Sequence, residues 1–268
     1  MVSEMDYQGY QMALRFDQRI SKMAALQPLT LILIDELDPQ ESDRMLDVGT
    51  GTGRLGMLLF DMIPKGFIAG IDSSYGVLKV ASEKISGAQI DNFFLVRGKA
   101  EALPFLSQSF DSACLMLSFH HFTEPERAVK EVHRALRDKG KLVSLDPVLK
   151  EASSEEEETV NKLVEEAFQW AHGPEFRFFT VRELRELYQT AGFSIENCQT
   201  HDFTFHQIGV DGIPMGPHWL QAYELLCSHG EESLIEKFEQ NYFAFRQKGS
   251  KLLVRGKMSW VTIKAVSS

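Results

Sequence analysis

LDVGTGTGRLG, Leu46 to Gly56, decides how this chain is read. A short apolar strand ends in an acid, Asp47, and enters a turn carrying Gly49, Gly51 and Gly53 before a helix begins near Arg54. Glycine takes positive φ without a Cβ penalty, so such a turn brings bare backbone close to a ligand. GFIAGIDSS, Gly66 to Ser74, repeats the arrangement, with a second apolar run ending in a second acid, Asp72. A carboxylate in that place can accept from both hydroxyls of a ribose. The pair therefore reads as a site for a nucleotide cofactor.

Outward from this loop the chain alternates apolar strands with helical stretches. Strands are expected at Met45 to Val48, Phe67 to Ile71, Phe93 to Val96, Ser112 to Leu117 and Lys141 to Leu145. Strands separated by helices imply an α/β fold with a parallel sheet. Turns at Pro64-Lys65-Gly66 and Asp138-Lys139-Gly140 fall on the edge opposite the glycine loop. The spacing of Met12, Leu14, Phe16, Ile20 and Met23, then of Leu29, Ile32, Leu33 and Leu37, predicts two helices within residues 1–43. The nucleotide-binding core takes residues 44–146.

Residues 147–179 form a helical lid insertion opened by Pro147. Ser154 with Glu157 is a capping-box pattern, and Val160, Leu163, Val164, Ala167, Phe168 and Ala171 trace one helical face. The acids Glu155 to Glu158 read as partners of the helix dipole. Residues 180–205 return to the core with a helix stopped at Gly192 and a sixth strand from Phe193. Residues 206–256 form a second insertion. The last strand, Met258 to Ala265 within 257–268, has room to lie antiparallel at the sheet edge.

The 268 residues, 44% apolar and 25% charged, are enough for one elaborated α/β domain. With 28 basic against 38 acidic residues the net charge is −10, which disfavours nucleic acid as a partner. Cys114, Cys198 and Cys227 lie far apart, without the spacing of a zinc knuckle or a disulfide framework, and fit a reducing cytoplasm. The longest apolar run, around Leu29 to Ile34, is too short to span a bilayer. His201, His206 and His218 lack helical ligand spacing, so no metal is assigned.

The arrangement resembles the class I S-adenosylmethionine-dependent methyltransferases, and among them the small-molecule group that includes the ubiquinone and menaquinone C-methyltransferases. The resemblance is strongest from Met45 to Pro147. It implies a Rossmann-like, seven-stranded, mostly parallel sheet in the order 3-2-1-4-5-7-6, with N-terminal helices and helical lid insertions. It also implies S-adenosylmethionine as cofactor, with Asp47 and the backbone of Gly49 and Gly51 at the methionine moiety, Asp72 at the ribose, and Thr50, Gly53 and Ser73 also in the cofactor site. RGKAEALPFLSQSFD, Arg97 to Asp111, looks like the family's adenine-reading segment, placing Lys99, Ala100 and Glu101 at the base. LSFHHFTEPERAVKEVHRALRDKGKLV, Leu117 to Val143, is similar to its stretch from the fourth strand to the fifth, with Leu117 at the cofactor. Two departures stand out. Lys99 replaces an expected Asp, and an ammonium cannot accept from the adenine amino group, which leaves Glu101 or the backbone at Ala100 to read the base. The Asn/Asp-Pro-Pro-aromatic motif of amine methylation is also missing.

Methyl transfer is an in-line displacement, and a general base is needed only when the acceptor must lose a proton. His121 and His120, at the end of the fourth strand, are the candidate bases or substrate contacts, with loop-holding hydrogen bonds as the alternative. The aromatic content of the insertions points to a closed apolar chamber for a small apolar or aromatic metabolite. Its candidate substrate contacts are Trp170, Phe179 and Trp219, beside Phe176, Phe178, Met215 and His218, although lid packing explains most of these side chains equally. Tyr7 and Tyr10 are placed either over the cofactor or on a solvated helix. Two other readings stay open. Gly51, Gly53 and Gly56 also satisfy the dinucleotide pattern of an NAD(P)-dependent oxidoreductase, and a non-catalytic S-adenosylmethionine-binding protein would share the fold.

Overall fold

Both faces of β1 (Arg44–Val48) are covered, with Met45, Leu46 and Val48 fully buried, as expected of a central parallel strand flanked by helices. The computed structural model describes residues 9–23 and 26–267. After α1 (Tyr10–Ser21) and α2 (Leu26–Leu37), β1 leads through the glycine turn into a short α3 (Gly56–Leu59). β2 (Phe67–Asp72), α4 (Tyr75–Gly87), β3 (Phe93–Arg97), β4 (Phe110–Met116), α5 (Pro125–Ala135) and β5 (Leu136–Val148) complete the nucleotide-binding core. Then come α6 (Glu155–His172), α7 (Val181–Thr190), β6 (Phe193–Ile208), α8 (Gly216–His229), α9 (Glu232–Asn241), β7 (Phe243–Lys248) and β8 (Lys251–Ser267).

The sheet runs β3-β2-β1-β4-β5-β8-β6, which is the expected order with β8 in the seventh strand's place. β3 to β5 are mutually parallel, and β8 is antiparallel to both β5 and β6. The last strand is therefore inserted between β5 and β6 and does not lie at the edge. An eighth strand, β7, comes from the second insertion and pairs antiparallel with β8 over Lys251 to Gly256, while β5 takes Ser259 to Val266. β8 runs past the core because it serves two partners in succession along one side.

Leu26, Leu29, Leu33 and Leu37 recur every three to four residues and are buried, so α2 seats on β5 and β8. Pro28 falls in its first turn, where the missing N–H is tolerated. α7 carries a complete capping box between Thr180 and Glu183. At α6 the box is only half made, because the Ser154 hydroxyl accepts from Glu157 N at 3.2 Å while the Glu157 carboxylate turns elsewhere. It accepts from Ser153 N and Oγ at 2.8 and 2.6 Å, from Lys150 Nζ at 2.7 Å, and from Asn241 Nδ2 at 3.2 Å. Glu157 thus ties the start of the first insertion to the end of α9 in the second. No helix among the described residues is long and apolar enough to cross a membrane.

Candidate functional site

The carboxyl ends of β1, β2, β4 and β5 open on a cavity of about 600 Å³, within the usual range for a small-molecule site. Its floor is the glycine turn. Gly49 N and Thr50 N donate to Ile71 O at 2.8 and 3.0 Å, so the turn is stitched to β2. Gly49 has φ +72°, and a Cβ there would stand 2.4 Å from Ser118 Cβ, whose hydroxyl donates to Val48 O at 3.0 Å. At Gly51, with φ +55°, a Cβ would meet only Gly49 O, at 4.0 Å. Gly51 therefore leaves its side of the turn open to the cavity. Gly53 is different: it does not line the cavity, and its Cβ would press on Ala81 at 3.1 Å and Phe93 at 3.4 Å. Its role is to let the turn pack on α4 and β3.

Asp47 and Asp72 share one edge, on adjacent parallel strands, and both line the cavity. Asp72 Oδ2 accepts from Gly51 N at 3.0 Å and Oδ1 from Ser74 N at 2.9 Å, which fixes the carboxylate against the turn. Burial raises its pKa against these backbone donors. Asp47 is buried and accepts from the Thr50 hydroxyl at 2.6 Å and the Cys114 thiol at 3.5 Å. Desolvation pushes its pKa up to about 6, because these neutral donors do not replace the lost water. Among the described residues no lysine or arginine pairs with Asp47. A buried acid without a cation, a ribose-ready acid beside it and an open glycine turn fit a cationic adenosyl sulfonium carrying an amino group.

Ser73, Lys99, Ala100, Glu101 and Leu117 line the same cavity as Asp47, Gly49, Thr50, Gly51 and Asp72. Glu101 is committed elsewhere, however: its Oε1 accepts from Thr123 N at 2.9 Å and Glu124 N at 3.4 Å, pinning the loop that enters α5. Leu117 takes φ +55°, an uncommon conformation for a leucine, with its N–H held by Leu145 O at 2.8 Å. That kink ends β4 and turns the short helix Phe119–His121 toward the cavity.

His120 and His121 both line the cavity, with ring centroids 4.3 Å apart. They differ in support. His120 Nδ1 is paired with Asp146 Oδ1, and Asp146 Oδ2 accepts from Phe119 N at 3.1 Å. Both side chains are buried at the ends of β4 and β5, and Nε2 of His120 is left as the nitrogen able to take a proton. His121 shows accessible surface toward the cavity, yet the surrounding protein and the neighbouring His120 and His172 hold its pKa well below 6.5. Sequence reading missed Asp146, although an acid ending a strand, as in Asp47 and Asp72, was the available signal.

The three proposed substrate contacts do not reach the cavity. Trp170 is 55% exposed, at the margin of the buried face of α6. Phe179 is core, edge-on to Phe119 with ring centroids 5.1 Å apart and under Arg177. Trp219 is also core, stacked on Tyr242 at 5.2 Å and edge-on to Phe168 at 5.1 Å. The chamber wall comes instead from Phe16 and Ile20 on α1, Met23 just after it, Leu26, Met215 before α8, and Trp260 on β8. Tyr7 lies outside the described residues. Tyr10 faces α4, donating to Glu83 at 2.6 Å, with Lys79 4.4 Å over its ring. No group of three or more His, Cys, Asp or Glu among the described residues is placed to hold a metal ion.

Residues 39–192 match the family model described as a methyltransferase domain. A demethylmenaquinone methyltransferase of Thermotoga maritima is 37% identical over 114 residues, 42% of this chain and 46% of that protein. A demethylmenaquinone methyltransferase of Listeria welshimeri is 27% identical over 176 residues, 60% of this chain and 75% of that protein. The fold matches the YcgJ protein of Bacillus subtilis with a TM-score of 0.72 at 19% identity, covering 89% of this chain and 97% of the other. Because the family match covers more than half of the chain and takes in β1 to α7, this protein belongs to the methyltransferase domain family.

Proposed function

We propose that the protein methylates a small apolar or aromatic acceptor that must lose a proton, at carbon or oxygen. The observation that carries this reading is one cavity with two halves: the acids and open glycine turn on one side, and an apolar wall with the His120–Asp146 pair on the other. S-adenosylmethionine, when bound, supplies an electrophilic methyl on a sulfonium. Asp72 accepts from the ribose hydroxyls, and Asp47 with the backbone of the glycine turn holds the methionine end. The backbone at Ala100 is left to read the adenine, since Glu101 holds the α5 loop. Phe16, Ile20, Met23 and Trp260 exclude water and align the acceptor, and such positioning is worth roughly 7–11 kcal/mol.

His120 Nε2 takes the acceptor's proton. Asp146 fixes its Nδ1 tautomer and stabilises the imidazolium that results, as in other base–orienter pairs. Such a base typically contributes about 10²- to 10⁴-fold. The nicotinamide reading is not favoured, because Gly53, the glycine that would let the backbone approach a pyrophosphate, instead packs against Ala81 and Phe93. Titration calorimetry with S-adenosylhomocysteine, followed by transfer of labelled methyl to a panel of phenols, enols and C–H acids, tests the proposal. Cofactor binding with turnover of amines alone would overturn the proton-losing acceptor.

A further inference from the structure

The cavity has a third polar group that the methyl-transfer chemistry does not use. His172, the last residue of α6, borders the cavity, yet both its ring nitrogens are buried without a hydrogen-bond partner. His218 on α8 stands behind it, with ring centroids 4.9 Å apart, and its Nδ1 is buried and unpartnered as well. Phe168 lies parallel to the His172 ring at 6.1 Å, and Phe176 packs on it at 4.7 Å. Phenylalanine walls offer these nitrogens nothing to bond. Buried polar atoms in native proteins are paired almost without exception, and an unmet one is costly. A half-turn about Cβ–Cγ exchanges the nitrogen and carbon edges of an imidazole, so the ring can present either edge to a ligand without moving its backbone.

Charge narrows the kind of ligand. Arg19 on α1 lines the same cavity, and its positive charge acts on both His172 and His218. Burial is the larger cause holding the two imidazoles neutral, with pKa values down to about 3 and about 4. The corner therefore combines a fixed cation with neutral N–H donors, which favours an oxygen anion and repels an ammonium.

Building on the proposed methyl transfer, we propose that His172 is the specificity-determining contact of the acceptor half, donating to an acidic oxygen, a carboxylate or phenolate, on an apolar acceptor. Arg19 supplies the attraction and His218 positions the ring from behind.

The test uses the intact protein saturated with S-adenosylhomocysteine and two aromatic probes of opposite charge, 1-naphthoate and 1-naphthylmethylammonium, measured by titration calorimetry. Naphthoate is expected to bind about tenfold tighter or more than the ammonium. His172→Phe, which keeps the ring volume, is expected to weaken naphthoate about tenfold, and His172→Asn, which restores a donor, to recover most of that loss. Both variants should bind S-adenosylhomocysteine as the parent does. Equal binding of the probes, no naphthoate binding, or full naphthoate affinity in His172→Phe overturns the assignment of His172 while the cofactor site stands. Failure of folded parent protein to bind S-adenosylhomocysteine overturns the underlying methyl-transfer reading as well.

Discussion

The two halves of the cavity are built by different means. The cofactor half is made largely of backbone: one turn of Gly49 to Gly51, stitched to β2, and two acids on neighbouring strands. The acceptor half is made of side chains from distant segments, with Phe16 on α1, His172 on α6, Met215 before α8 and Trp260 on β8. A backbone cradle tolerates little change, whereas a wall of side chains can be altered one residue at a time. On the function proposed above, the donor is set by a contiguous motif, and the acceptor by side chains that the N-terminal helix, the two insertions and the last strand carry to the same rim.

That contrast can be broken at several points. His120→Gln is expected to lower kcat by about 10²- to 10⁴-fold with S-adenosylhomocysteine affinity unchanged, and Asp146→Asn to follow in the same direction. Steady-state kinetics beside calorimetry check this; an unchanged kcat would remove the base. Trp219→Ala should cost about 3–5 kcal/mol of stability as a core truncation, while Trp170→Ala, 55% exposed on α6, should stay within about 0.5 kcal/mol. Denaturant unfolding separates the two, and equal effects would mean that Trp219 does not hold α8 against Phe168 of α6 and Tyr242 after α9.

On the cofactor side, Asp72→Ala should weaken S-adenosylhomocysteine by on the order of 100-fold, from the loss of charge-assisted bonds worth about 1.5–3 kcal/mol each. Circular dichroism verifies the fold, and intact affinity would refute the ribose contact. The smallest expected effect is a pH dependence. Burial raises the Asp47 pKa to about 6, so the acid must shed a proton to meet a cation below that pH and is already charged above it. S-adenosylmethionine affinity should therefore rise as pH increases through about 6 and level off beyond. Asp47→Asn should bind weakly with no such rise, and a parent profile flat from pH 5 to 8 would exclude the coupling.

The glycine-turn half of the cavity was legible because its determinants are local. An apolar strand, an acid and glycines within a few residues permit only a few backbone paths, and the repeat at Asp72 fixed the neighbouring strand. The same rule, applied to Ser144-Leu145-Asp146, would have found the partner of His120, since the acid ends β5 as the others end β1 and β2. Trp170 was not excludable from sequence, since it follows Leu163 by seven residues and so flanks the apolar face of α6; only the packing shows that it stays exposed. Trp219, Phe179 and the strand β7 were not legible. Whether an aromatic side chain points to a ligand or to a neighbouring helix depends on pairings between segments far apart in the chain, and periodicity carries no trace of those. The left-handed turn at Leu117 was hidden for a related reason, as nothing in leucine announces it.

Among the described strands β6 is hydrogen-bonded to β8 alone, and β8 begins at Lys251, well after β6 ends at Ile208. During synthesis β6 must therefore wait, unpaired, while α8, α9 and β7 are made. A waiting strand with a sticky face invites association with other chains. β6 is instead rich in Glu196, Asn197, Gln199, Thr200, His201, Asp202 and Thr204, with few side chains buried even in the finished sheet. Its polarity thus protects the half-assembled chain, a service that ends when β8 docks beside it.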